Sequence, residues 1–266
     1  MICAKNLGIT LILSMVFVLF VPNPINAQVS SLDDSDNDGL LDEDELNIYH
    51  TNPNHYDSDG DSFSDGEEIK NGYSPLRNNR QKMREIDTDK DGLWDDWEIA
   101  LGTHLNNPDT DRDGYKDGEE VRNGYDPLSS GTEKIAKRIE VNLKNQSLQY
   151  FFGNAKLDDF KISSGLPRTP TPSGNFTVIK KRPTVHYAGP GYDFPNTKWN
   201  LMFKEGRGYN FYVHGAYWHN DFGKPKSHGC VNVPHKQEYM GRLYDWADVG
   251  IAVMISLYCK LIIKFT

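Results

Sequence analysis

The sequence predicts a mainly β C-terminal domain with one or two helices, preceded by an extended module of repeated loops and short helices. Three observations carry this. Four copies of an acidic twelve-residue pattern lie between residues 33 and 128. Apolar residues alternate at period two after about residue 137. The charge also changes sign between the halves. Residues 28–132 hold 28 Asp and Glu against 9 Lys and Arg, and residues 133–266 hold 10 against 19. Such an asymmetry marks a boundary and two kinds of partner, cations for the first half and an anionic substrate for the second.

In chain order, residues 1–27 read as a signal peptide. Lys5 supplies the positive n-region, Leu7 to Val21 is an apolar run too short for a comfortable span, and Ala27 offers a cleavage site. An uncleaved anchor is the alternative. Either way the body of the protein is expected outside the cytoplasm, in the periplasm or cell wall, with no transmembrane span after cleavage.

The acidic copies follow D-x-D-x-D-[G/S]-x-x-D-x-x-E. Their carboxylates are Asp34, Asp36, Asp38, Asp42 and Glu45; Asp57, Asp59, Asp61, Asp65 and Glu68; Asp87, Asp89, Asp91, Asp95 and Glu98; and Asp109, Asp111, Asp113, Asp117 and Glu120. Alternating carboxylates, a glycine at the turn and a final glutamate make an oxygen cage suited to Ca²⁺. Position seven is always apolar (Leu40, Phe63, Leu93, Tyr115), and so is position thirteen (Leu46, Ile69, Ile99, Val121). Each copy therefore has something to bury against a neighbour, unlike a disordered acidic tract. Ser62 stands where the other copies have glycine, so the second site is expected to be the weakest. Helix breakers precede the loops and helix-compatible runs such as "DGEEIKNGY" follow them, which argues against EF-hands. The module resembles bacterial thrombospondin type 3 repeats. That resemblance implies a stiff calcium-filled spacer, with a cell-envelope protein as a possible partner.

Residues 129–134, "SSGTEK", read as a flexible linker. The halves are thus expected to fold independently, and calcium is expected to order residues 33–128 without touching the chemistry. Strand signals follow at Ile139, Val141 and Leu143, at Leu148, Tyr150 and Phe152, at Phe160 and Ile162, and at Phe176 and Val178. In "YNFYVHG", Tyr212 and His214 share one strand face and Phe211 and Val213 the other. Tyr239, Met240, Leu243 and Trp246 recur at helical spacing, and residues 250–256 close with a strand.

The chemistry-bearing stretch is Ser227-His228-Gly229-Cys230-Val231-Asn232, with His214-Gly215 upstream. A cysteine attacks carbonyls as its thiolate, and a nearby imidazole makes that thiolate available near neutral pH. Glycine before the cysteine lets main-chain N–H groups approach an oxyanion. Four histidines (His214, His219, His228, His235) near Cys230 also raise a zinc reading, although no H-E-x-x-H pattern appears. Cys259 could pair with Cys230, but it lies in an apolar tail and is expected to be dispensable.

Together "FYVHGAYWHNDFGKPKSHGCVNV" and "ISSGLPRTPTPSGNFTVIKK" resemble the L,D-transpeptidase catalytic domain over about residues 137–255. The resemblance implies a β-sandwich in a domain spanning 135–258. It implies an exported cysteine-dependent enzyme that acts on peptidoglycan stem peptides, not on nucleic acid, through a thioester and without a catalytic cofactor. In that pattern Cys230 is the nucleophile and His214 the base, oriented by the Gly215 carbonyl. Gly229 and Cys230 supply the oxyanion donors, His228, Ser227 and Asn232 support the loop or the substrate, and Thr169 to Gly174 frame the cleft. The twelve residues between His214 and Ser227 are fewer than the family pattern has, which implies a trimmed loop beside the site. An L,D-carboxypeptidase and a calcium-dependent wall-binding protein with an inactive domain remain the alternatives.

Overall fold

A computed structural model describes residues 33–257 of the chain. The signal-peptide region and Cys259 lie outside the described residues.

The acidic copies fold as loops, each running into a short helix. These helices are α1 (Asp42–Asp44, continued as a π-helical turn over Glu45–Tyr49), α2 (Asp65–Asn71), α3 (Asp95–Leu101) and α4 (Asp117–Asn123). The last three stop at glycines in the left-handed region, Gly72, Gly102 and Gly124, which is the cheapest way to reverse the chain after a helix. Loops pack in pairs. The Gly66 N–H donates to Asp38 Oδ2 at 2.7 Å, and the Gly118 N–H to Asp91 Oδ2 at 2.6 Å. A Cβ on Gly66 would sit 2.3 Å from the Asp38 carbonyl oxygen, so the second helix of a pair can approach only with glycine there. His50 Nε2 and His104 Nδ1, 2.7 Å apart, join one pair to the other. The apolar position-seven residues divide by this pairing: Leu40 and Leu93 are buried, whereas Tyr115 is 60% exposed.

The C-terminal region has two sheets. One holds β1 (Lys137–Asn142), β2 (Ser147–Phe152), β3 (Ala155–Lys161), β4 (Gly174–Thr177) and β9 (Ala252–Ser256), in the order β3-β2-β1-β9-β4. The other holds β5 (Lys180–Gly189), β6 (Tyr192–Glu205), β7 (Asn210–Ala216) and β8 (Val231–Pro234), in chain order. Most pairs are antiparallel. β1 with β9 and β7 with β8 run parallel, because the segments between them leave the sheet and return. The predicted alternation is the observed burial: Ile139, Val141, Leu148, Tyr150 and Phe152 all point into the core. The predicted helical stretch forms a π-helical turn at Gln237–Gly241 and α5 (Arg242–Trp246), which bury Met240, Leu243 and Trp246.

The two halves, expected to fold independently, pack against each other. Residues 33–257 lie within one compact unit. Leu93, Trp97 and Val121 of the repeats belong to the same apolar cluster as Ile139, Tyr150, Leu243 and Trp246. Trp97 meets the Tyr150 ring edge-on, with centroids 5.9 Å apart. Residues 130–136 have no regular structure, yet their end is fastened: the Ile135 N–H donates to the Gly124 carbonyl at 2.8 Å. Composition suggested a linker; across it, Trp97 of α3 packs on Tyr150.

Candidate active site and cation-binding loops

β7 and β8 lie side by side with His214 opposite Asn232. The next residues upstream of β8 carry Cys230 to the edge of the same sheet. Gly229 precedes it at φ +120, and a Cβ there would meet the Phe211 ring at 2.9 Å, so glycine is required on both grounds. The second motif forms the opposite wall. Ser163 and Asn232 exchange backbone hydrogen bonds at 2.9 Å, and the Leu166 N–H donates to the Ser227 carbonyl at 3.0 Å. Thr171 Oγ1 accepts from the Gly165 N–H at 2.8 Å and donates to the Cys230 carbonyl at 3.4 Å. Two motifs some sixty residues apart thus meet around one thiol.

Cys230 is a free cysteine with partial access to solvent. The atoms crowded around its sulfur push the thiol up to about 11, against a backbone hydrogen bond from Tyr212 that pulls the other way. Its Sγ lies 3.9 Å from the Asn210 carbonyl oxygen. His214 is buried, and its Nδ1 stands 3.0 Å from the Gly215 carbonyl oxygen. A carbonyl only accepts, so Nδ1 carries the proton and Nε2 is the basic nitrogen. Burial lowers His214 to about 4, with the Gly215 carbonyl opposing. Burial thus disfavours the charged form of each group, the thiolate and the imidazolium alike.

The expected oxyanion donors are not equally available. The Gly229 N–H already donates to Ser227 Oγ at 3.1 Å. His228 is exposed and stacks on Tyr192, with centroids 4.8 Å apart. Asn232 is buried, with its Nδ2 3.0 Å from His219 Nε2. Sequence reasoning missed the β5–β6 hairpin, whose Tyr187 stacks on His214 at 4.7 Å and donates its hydroxyl to Asn200 Oδ1 at 2.9 Å. Phe194 of the same hairpin stacks on Trp218 at 3.9 Å. The signal was present as "HYAGPGYDF", aromatic residues around a Gly-Pro-Gly turn, but nothing local aims such a hairpin.

In the acidic loops, the first three aspartates of each copy converge, with ligand atoms within 4.8 Å of one another. Asp36, Asp59, Asp89 and Asp111 each keep a buried oxygen with no partner, as do Glu45, Glu68, Glu98 and Glu120. Unpaired buried carboxylate oxygens are costly, and their repetition at the same two positions in four loops fits a divalent cation. Burial and the neighbouring aspartates push Glu98 up to about 10 and Glu68 to about 8. The ninth-position aspartates are engaged differently. Asp95 takes hydrogen bonds from Thr88 N and Oγ1, Asp117 from Thr110 in the same way, Asp42 from Ser35, and Asp65 from the Ser58 N–H. They brace the loop entry. Ser62 keeps the loop shape at φ +80.

Residues 136–255 match the family model of the L,D-transpeptidase catalytic domain, YkuD. Residues 34–55, 87–103 and 109–130 match that of the bacterial TSP3 repeat, which leaves the Ser62 loop outside the matched segments. No curated protein matched the chain. Among solved structures, an L,D-transpeptidase from Mycobacterium smegmatis is 23% identical over 46% of this chain and 59% of its own, with a TM-score of 0.42. An Enterococcus faecium L,D-transpeptidase mutant is 26% identical over 49% of this chain and 51% of its own, with a TM-score of 0.41. The catalytic domain of the Enterococcus faecium enzyme is 26% identical, with 47% of this chain and all of that one covered, at a TM-score of 0.39. This chain thus spans about 59% of the length of the Mycobacterium smegmatis protein it matches. By these family matches, the chain joins bacterial TSP3 repeats to an L,D-transpeptidase catalytic domain.

Proposed function

We propose that the protein is an exported cysteine L,D-transpeptidase acting on peptidoglycan stem peptides, with calcium-loaded repeats built onto its catalytic domain. The observation that carries this reading is the meeting of the Ser163–Thr171 segment with Ser227–Asn232 around Cys230, beside a histidine whose tautomer is set by Gly215. Cys230 Sγ attacks the carbonyl of the residue preceding a terminal D-amino acid, and its proton passes to His214 Nε2. Because burial disfavours both charged forms, the proton moves as the C–S bond forms. The Cys230 N–H faces the developing oxyanion; Gly229 joins it only if its bond to Ser227 Oγ is released. His214 then protonates the leaving amine, the C–N bond breaks, and a thioester remains. An amine of a second stem, or water, attacks that thioester and frees Cys230.

In the repeats, the aspartate trios and the glutamate of each loop would hold Ca²⁺. The ion would supply the positive charge that the buried oxygens lack and tie each loop to its helix.

Incubation of the full chain with purified tetrapeptide muropeptides, followed by mass spectrometry, tests the reaction. Cross-linked dimers that disappear in Cys230→Ala are expected. Tripeptide products alone would make the protein a carboxypeptidase, and no product would leave a wall-binding role.

A further inference from the structure

The two loop pairs are copies of one unit. Phe63, Tyr73 and Arg80 of the first correspond, 52 residues on, to Tyr115, Tyr125 and Thr132 of the second. The fold keeps this register: the Met83 N–H donates to the Gly72 carbonyl, and 52 residues later the Ile135 N–H donates to the Gly124 carbonyl. In the first unit the Arg80 guanidinium lies 4.0 Å from the Phe63 ring centroid and 4.8 Å from that of Tyr73. Arg80 sits at φ +51, a left-handed backbone that few side chains adopt. In the second unit Thr132 is too short to do the same, and Lys134 covers Tyr125, the counterpart of Tyr73, at 3.4 Å, which leaves Tyr115 without the cation that Phe63 has. A cavity of about 330 Å³ lies there, lined by Tyr115, Tyr125, Thr132, Glu119 and Asn123 and bordered by Asp113 and Glu120 of the fourth cation loop. Tyr115 is left 60% exposed.

We propose that this cavity takes an arginine side chain presented by a partner polypeptide, in the place that Arg80 fills in the first unit. The exposed Tyr115 ring suits a planar, weakly hydrated guanidinium better than a compact ammonium. Glu119 adds a carboxylate at the rim, and the acidic module around it attracts cations over a longer range. Lys134 stands 3.4 Å over Tyr125 and donates to the Asn123 carbonyl; it is a like charge that the incoming group must tolerate. The site involves neither Cys230 nor His214, so it stands apart from the transpeptidase reading.

The test uses the calcium-loaded full chain with ¹³C-labelled tyrosine rings, titrated with acetyl-Gly-Arg-Gly-amide. A saturable shift of the Tyr115 signal is expected, with little response to the citrulline peptide, which has nearly the same shape and no charge. Tyr115→Ala should weaken binding by about 2–5-fold, the worth of one exposed cation–π contact. Thr132→Arg should refill the cavity from within and abolish binding, while Cys230 alkylation, which reports an intact fold, stays unchanged. The proposal is overturned if the arginine peptide gives no saturable shift, if citrulline binds equally, or if Thr132→Arg still binds normally.

Discussion

Arg242 grips Asp96 with both terminal nitrogens, at 2.9 and 2.6 Å, and donates again to the Arg84 carbonyl at 3.1 Å. The arginine side chain is 1% exposed and belongs to α5 of the catalytic region; the aspartate belongs to the third repeat. Glu98, two residues beyond Asp96, is a cation-loop carboxylate, and Trp97 between them plugs the sheet at Tyr150. One turn of α3 thus faces the third acidic loop on one side and the core of the two-sheet region on the other.

Asp96→Ala should therefore destabilise the whole unit by about 3–5 kcal/mol, since it strands a buried guanidinium. Urea denaturation followed by tryptophan fluorescence reads this directly. An unchanged midpoint would mean that α3 is a passive neighbour.

Calcium removal should be felt in the catalytic sheet. Without the ion, the carboxylates around α3 repel one another, and the helix that presents Trp97 and Asp96 loosens. Hydrogen exchange with and without chelator is the measurement, and faster exchange of β2 and α5 amides in chelator is expected. Loss of protection confined to residues 33–128 would restore the independent halves that composition suggested.

Ser62→Gly should stabilise the second loop. Ser62 holds φ +80 where its counterparts Gly39, Gly92 and Gly114 hold +98 to +105. A left-handed backbone costs a residue with a Cβ about 1–2 kcal/mol, partly offset by the freedom glycine gives the unfolded chain. A gain of about 0.5–1 kcal/mol in calcium-loaded thermal unfolding is expected, and a lower melting temperature would contradict it.

Cys230 should show thiol chemistry that climbs with pH. With the thiol near 11, burial favours the neutral form, and the thiolate fraction at pH 7 is on the order of 10⁻⁴. Iodoacetamide alkylation of Cys230 should rise about tenfold per pH unit from 7 to 10. A plateau across neutral pH would reveal a resting ion pair instead. His214→Ala should keep that slope yet lower acylation by muropeptides by about 10²–10⁴-fold, because the histidine acts when the proton moves.

Much was legible without the fold. The loops announce themselves through carboxylate spacing, because an oxygen cage is built from neighbours in sequence. The strands of the larger sheet follow from period two, and Gly229-Cys230 with His214-Gly215 follow from the chemistry they need. Tertiary structure alone decided three things. It set Tyr187 on His214, because a hairpin's aim depends on distant packing. It buried His214 and Cys230 so that both charged forms are disfavoured, because burial belongs to the assembled site and not to a motif. And it packed the acidic repeats onto the two-sheet region: Trp97 and Asp96 read as ordinary helix residues until Tyr150 and Arg242, far along the chain, supply the surface and the charge that hold them.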